Sequence, residues 1–160
     1  MQLTLTLIYI ALIIYIIYLI HKNINKEKII KFTYEPKSNL PIIKFYIKGY
    51  PLKMYLDTGA NITTICKSFI EKADLTHKLK DTPTTVQTAG SVINNVQTIN
   101  NVTVMYKDKI KNKKSVFCFN KALVIDDFDD NIKGVVGSDF LRRYKFQIDY
   151  KNDCIYKRFI

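Results

Sequence analysis

The first twenty residues constrain the architecture most, because residues 3–20 are mainly apolar and contain no charged side chain. As an α-helix this run would be about 27 Å long, close to the hydrocarbon thickness of a bilayer. Apolar residues cover every side of such a helix, as expected where lipid surrounds it. A cleaved signal peptide would carry a basic start and a small-residue cleavage site, and neither is present. The sequence therefore predicts a membrane anchor over residues 1–20, with a buried core helix as the alternative.

The charges beside this run predict its orientation. Four lysines follow it within residues 22–31, and no basic residue precedes it. By the positive-inside rule, the remainder of the chain is expected on the cytoplasmic side of the membrane. Residues 21–39 are polar and basic, which predicts a juxtamembrane linker, although residues 29–34 could supply an edge strand.

Composition narrows the possible partners of the remaining chain. The net charge is +11, from 25 Lys and Arg against 14 Asp and Glu. The lysines are scattered along the sequence without a recognition motif, so we expect a solvated basic surface and no specific nucleic-acid binding. The three cysteines and two histidines form no cluster with metal-ligand spacing. We therefore expect free thiols, no metal site and no cofactor.

The pattern changes to short β-rich runs after residue 40, which predicts a mostly β domain over residues 40–160. Turn residues separate the runs and predict three hairpins. The helical spacing of residues 67–75 is weak, and Ser138 could cap a short helix that continues to Arg143. The predicted hairpins have their turns at residues 48–51, 89–91 and 151–152.

An apolar strand runs directly into Asp57-Thr58-Gly59, the sharpest chemical signal in the chain. Attack of water on a peptide bond needs a base that accepts a proton and an acid that polarises the carbonyl. Two adjacent carboxylates can do both, because they do not ionise together and so share one proton. The tripeptide alone is weak evidence, since a solvated β-turn has the same composition.

The surroundings of the tripeptide strengthen the signal. Asp57-Thr58-Gly59-Ala60 follows a hairpin, Gly90 lies at the tip of a central hairpin, and residues 134–141 contain an apolar-apolar-Gly step before a short helix. Over residues 40–158 this arrangement resembles the retropepsin family of retroviral-type aspartic peptidases. The resemblance implies a mostly β, closed and orthogonal β-barrel acid-protease fold with one short helix per monomer. In this chain one N-terminal transmembrane helix would precede it.

The resemblance also implies roles for the residues of the loop 57–60. Asp57 would be the catalytic carboxylate, and the hydroxyl of Thr58 would bond to the matching loop of a second copy. Gly59 would permit the tight turn, and Ala60 would complete the loop. Because Ala60 has no hydroxyl that could stabilise the ionised carboxylate, we expect activity nearer neutral pH than in relatives that work in acid.

Two further sets of residues follow from the resemblance. Ala89, Gly90 and Ser91 would form a flap tip that closes over the substrate. Residues 154–159 would join a second copy in an interface sheet, with the N-terminal strand as a further candidate member. Three residues would cross beneath the catalytic loop and support it: Val135, Val136 and Gly137.

The chain has one Asp-Thr-Gly, so a second catalytic carboxylate would come from a second copy in a C2 homodimer. The expected function is a membrane-tethered aspartic endopeptidase that hydrolyses a protein or peptide lying extended in the shared cleft. The alternative is a catalytically inactive peptide-binding or dimerisation module with the same fold. The acidic run 126–130 lacks the glycine and terminal Glu of a calcium loop, which favours a solvated loop.

Overall fold

The computed structural model describes residues 2–24, 26–81, 85–87, 92–93, 96–108 and 112–158. The first element is helix α1, Gln2–Ile24. Its large apolar side chains from Ile8 to Leu19 are between 39% and 66% exposed. Among the described residues, no helix meets the length and hydropathy of a membrane span. The anchor remains a prediction from the sequence.

Most of the remaining described chain is β-structure, as the sequence predicts. In chain order the strands are β1 Lys26–Lys31, β2 Thr33–Tyr34, β3 Pro41–Ile47, β4 Tyr50–Leu56, β5 Thr64–Cys66, β6 Leu79–Asp81, β7 Val86–Gln87, β8 Val92–Ile93, β9 Gln97–Asp108, β10 Lys113–Ile125, β11 Gly134–Val136, β12 Phe146–Asp149 and β13 Cys154–Arg158.

Six strands close into a barrel in the order β3-β4-β11-β5-β10-β9, and a second pairing of β3 with β9 completes the ring. Alternation along β3 directs Ile43, Phe45 and Ile47 into the interior, where each is at most 3% exposed. The ring of Phe45 packs edge-on against those of Phe119 and Phe140, with centroids 5.7 and 5.8 Å away. This aromatic contact fixes the helix that carries Phe140 against the barrel wall.

Among its described residues, the β domain contains two short α-helices, α2 Lys67–Lys72 and α3 Ser138–Arg143, and a 3₁₀ turn at Thr76–Lys78. The expectation of one short helix per monomer is therefore wrong. Helix α2 forms because Phe69 and Ile70 lie on one face and are buried in the core. Residues 113–125 form one continuous strand, because β10 pairs with β9 along nearly its whole length.

A separate three-stranded sheet has the order β1-β13-β12. It lies partly within the predicted linker 21–39, where burial of Ile30 and Phe32 stabilises strand structure. Lys26 pairs with Arg158 and Lys31 with Cys154, so the N-terminal strand binds the C-terminal strand of its own chain. Both edges of β13 are occupied within the chain. The predicted pairing of residues 154–159 with a second copy therefore finds no open edge on the described strand.

Candidate active site

Asp57 lies where β4 leaves the barrel wall. Leu52, Met54 and Leu56 alternate along β4 and are at most 4% exposed, so the strand is anchored in the core up to its last residue. The chain then reaches solvent, and Asp57 is exposed. A rigid strand thus presents a carboxylate at the surface of a single copy.

The backbone that follows turns around the Asp57 carboxylate. The N–H of Gly59 donates a hydrogen bond to Asp57 Oδ1 at 2.8 Å, and the N–H of Ala60 donates to the Asp57 carbonyl at 3.3 Å. A Cβ at residue 59 would lie 3.1 Å from Oδ1, closer than most Cβ contacts. Glycine at this position lets the carboxylate remain against the backbone. Thr58 is also exposed, so its hydroxyl is open to a partner.

Strand β11 supports this loop from below. It pairs in parallel with β4 and antiparallel with β5, so it lies between the two strands that the loop connects. The N–H of Asp57 donates to the carbonyl of Val136 at 3.1 Å, and the N–H of Ser138 donates to the carbonyl of Ala60 at 2.8 Å. Val135 is half-buried and Val136 is fully buried. The predicted support residues therefore lie directly beneath the loop.

A side-chain network that no sequence motif predicts joins the Asp57 loop to the chain segment that follows β11. The Thr63 hydroxyl donates to Asp139 Oδ1 at 2.8 Å and accepts from the N–H of Gly137 at 3.2 Å. Thr63 is 0% exposed. A Cβ at residue 137 would lie 2.7 Å from the carbonyl carbon of Ile62, so only glycine allows this approach. We call Thr63, Gly137 and Asp139 the loop clamp.

Helix α3 begins differently from the sequence prediction. Its N-cap is Gly137 in an extended conformation, with no side-chain hydrogen bond. Ser138 is already the first helical residue, so the prediction that Ser138 caps the helix is wrong. Its backbone N–H is directed to the carbonyl of Ala60 in the Asp57 loop instead, because the chain turns at Gly137.

The predicted flap tip, Ala89, Gly90 and Ser91, lies outside the described residues. The strands on either side are described. Val86 pairs with Ile93 and Gln87 with Val92 in a two-stranded antiparallel sheet. The predicted hairpin is therefore present up to residues 87 and 92.

Carboxylates of the acidic run 126–130 bind neighbouring groups of the protein. Asp127 forms an ion pair with Lys133 and accepts a hydrogen bond from the Ser68 hydroxyl, each at 2.5 Å. The hydrogen bond from Lys133 is the main reason why the pKa of Asp127 lies below its ordinary value. Asp129 Oδ1 accepts from two backbone N–H groups, at residues 131 and 132. The described part of the chain contains no cluster of three His, Cys, Asp or Glu side chains that could hold a metal ion.

Comparisons with known proteins agree on the class of this chain. The profile of the family described as "gag-polyprotein putative aspartyl protease" matches residues 43–143. A retropepsin-like aspartic protease from Rickettsia conorii is similar, with a TM-score of 0.57, 25% identity, and coverage of 82% of this chain and 90% of that chain. The retroviral protease-like domain of Ddi1 from Leishmania major has a TM-score of 0.51 at 19% identity, covering 76% and 96%.

A third solved structure, EIAV protease complexed with the inhibitor HBY-793, has a TM-score of 0.47 at 18% identity and covers 73% of this chain and 99% of that chain. A comparison with curated proteins finds no match.

Proposed function

Because this chain belongs to the gag-polyprotein aspartyl protease family, of the retropepsin-like aspartic proteases, we propose that it is a membrane-tethered endopeptidase active as a homodimer. The observation that carries the proposal is the position of Asp57. Its carboxylate is exposed at the end of a buried strand, on a loop that β11 supports. A peptide-binding module without activity would need no such carboxylate.

The proposed chemistry needs two carboxylates, and each copy supplies one Asp57. A water molecule lies between them and loses a proton to the ionised carboxylate as its oxygen bonds to the substrate carbonyl carbon. The protonated carboxyl group donates its proton to the carbonyl oxygen. The tetrahedral intermediate then collapses, and a proton passes to the amine nitrogen as the C–N bond breaks. No metal or cofactor takes part in these steps.

Pairing of two copies is supported by the single Asp-Thr-Gly in the chain and by the exposure of residues 57–59. A C2 arrangement brings the same loop from each copy to one axis, where the exposed Thr58 hydroxyl of each can bond to the other loop. Anchoring both copies in one membrane would raise their effective concentration and favour the dimer.

Membrane tethering is proposed from the uncharged run 3–20 and from the exposed apolar side chains of α1. Lysines beyond this run favour a cytoplasmic peptidase domain. A protein that lies at or near the same membrane would then be the natural substrate, cut within an extended segment.

The test compares the wild-type full chain with Asp57→Asn on a peptide library near neutral pH. Asp130→Asn is the matched control, because Asp130 is an exposed carboxylate of the acidic run. We expect Asp57→Asn to abolish cleavage and Asp130→Asn to retain it. The wild-type rate should rise more steeply than linearly with enzyme concentration, because the dimer is the active species.

A folded, dimeric wild type that cuts no peptide would refute the proposed activity and favour the inactive binding module. If the Asp57→Asn variant still cleaves peptides, Asp57 is not the catalytic carboxylate. A rate strictly proportional to concentration, with a monomer in solution, would refute the shared site.

A further inference from the structure

Four lysines that are scattered in sequence form one transverse row on the outer surface of the barrel. Lys53 on β4 pairs directly with Lys44 on β3. Phe45 on β3 pairs with Tyr106 on β9, so Lys44 and Lys107 come next in the same register, and Lys107 pairs with Lys114 on β10. All four side chains are exposed. We call Lys53, Lys44, Lys107 and Lys114 the lysine row.

Contacts with other described residues do little to balance the charge of the lysine row. The ammonium groups of Lys107 and Lys44 lie 4.3 and 5.5 Å from the centre of one ring, that of Tyr46. Among the described residues, no carboxylate pairs with the lysine row, since the ion pairs involve other lysines. Like charges directly opposite one another on neighbouring strands are destabilising. Binding of an external anion would reduce the repulsion within the lysine row.

An apolar row runs beside the lysine row, two residues along each strand. Pro51 pairs with Tyr46, Tyr46 with Met105, and Met105 with Val116. These side chains lie on the same outer face as the lysine row, because alternate residues of a strand share a face. Val116 is 64% exposed, although it is a large apolar residue. We call Pro51, Tyr46, Met105 and Val116 the apolar row.

The dimensions of the two rows fit an extended anionic surface. Four adjacent strands spaced about 4.8 Å apart make each row roughly 14 Å long, and two residues along a strand separate the rows by about 7 Å. Lysine stems can lie along an apolar surface while their ammonium groups reach phosphates. Side chains such as Val116 and Met105 suit the boundary between headgroups and acyl chains.

We propose that the outer face of β4, β3, β9 and β10 docks on a bilayer that contains anionic lipids. The lysine row contacts headgroup phosphates, and the apolar row enters the interfacial region. Nucleic acid is a poorer fit, because it would bind the lysine row but leave the apolar row against phosphates and water. The inference extends the proposed membrane association from residues 3–20 to the barrel itself, and it does not depend on Asp57.

The test places an environment-sensitive fluorophore on the apolar row. Val116→Cys in a Cys118→Ser background gives the labelling site, since Cys66 and Cys154 are buried. The labelled full chain is reconstituted into vesicles of phosphatidylcholine alone or of phosphatidylcholine with phosphatidylserine. We expect a blue-shifted emission only with phosphatidylserine. The shift should disappear at roughly 0.5 M salt, where screening is strong.

Charge reversal provides the matched comparison. Lys44→Glu with Lys107→Glu should weaken the phosphatidylserine response by more than about tenfold, because each lysine near an anionic surface contributes about fivefold in partitioning. Lys72→Glu with Lys78→Glu changes the net charge equally at exposed positions outside the row and should leave the response unchanged. Cleavage of a soluble peptide should be unaffected in both variants.

Three outcomes would overturn the docking surface. They are the same emission in both lipids, an equal loss of response in both charge-reversal variants, and binding of a single-stranded oligonucleotide with no lipid response. Failure of the chain to co-sediment with neutral vesicles would instead refute the membrane anchor. A loss of peptide cleavage with an unchanged lipid response would count against the proposed peptidase activity and leave the docking surface intact.

Discussion

The substitution Thr63→Val tests the loop clamp most directly. Valine has nearly the same shape as threonine, so it leaves no cavity, but it removes the hydroxyl that bonds to Asp139 and Gly137. A buried donor left without a partner costs about 1–3 kcal/mol. The Gly137 N–H is such a donor, and the half-buried Asp139 carboxylate loses a charge-assisted bond that water replaces in part. We therefore expect Thr63→Val to lower the free energy of unfolding by about 2–4 kcal/mol.

Thr64 provides an adjacent control. Its Oγ1 is buried and has no hydrogen-bond partner among the described residues. Thr64→Val therefore removes an unsatisfied polar atom, and we expect a stability between that of the wild type and about 1 kcal/mol above it. The same chemical change should thus lower stability at residue 63 and not lower it at residue 64.

The assay is thermal unfolding of the full chain in one detergent, followed by circular dichroism, with peptide cleavage measured in parallel. At about 4 °C per kcal/mol, Thr63→Val should lower the Tm by roughly 8–16 °C. At a temperature where the variant is folded, kcat should fall more than KM changes, because the clamp holds the loop that carries Asp57. A loss below about 0.5 kcal/mol for Thr63→Val, or an equal loss for Thr64→Val, would refute the reasoning.

Three further predictions follow from the packing and the charges. Gly137→Ala should lower stability by about 1–3 kcal/mol in thermal unfolding, because its Cβ would meet the backbone of Ile62 at 2.7 Å; an unchanged Tm would contradict this. Burial raises the pKa of the Cys66 thiol to about 11, so at pH 8 iodoacetamide should modify Cys118 in the native protein and Cys66 only on unfolding, as checked by mass spectrometry. Backbone N–H groups lower the pKa of Asp129, so its stabilising effect is present above the ordinary carboxylate pKa of about 4 and is lost as pH falls through the folded value. The stability difference between wild type and Asp129→Asn should therefore be larger at pH 6 than at about pH 2, and a difference independent of pH would disprove this.

The sequence was sufficient for the mostly β fold class and for the strand that ends at Asp57. The hairpin of β3 and β4 is local, and its alternating apolar residues identify the strand that ends at Asp57. The apolar-apolar-Gly step at residues 135–137 marks β11, although nothing local in the sequence shows that β11 lies between β4 and β5.

Long-range pairing accounts for what the sequence did not show. Thr63 and Asp139 are 76 residues apart, and neither belongs to a motif that predicts their contact. Residues 26–31 have the local composition of a polar linker. They form a strand because β1 pairs with β13 at the other end of the described β domain. The lysine row likewise arises only when four strands are set in register. A chain whose lysines are evenly scattered can still gather them on one face.

The position of β1 also limits what a tethered enzyme could reach. Helix α1 ends at Ile24 and β1 begins at Lys26, so a single residue separates them. A flexible connection of about 19 residues would allow the barrel to explore roughly 24 Å from its attachment point. Because β1 pairs with β13, residues 26–31 would not serve as a flexible tether, and in a membrane-anchored enzyme the barrel would help to set the height of the cleft above the bilayer. Such an enzyme would select its substrates partly by the distance between the cleavable segment and the membrane.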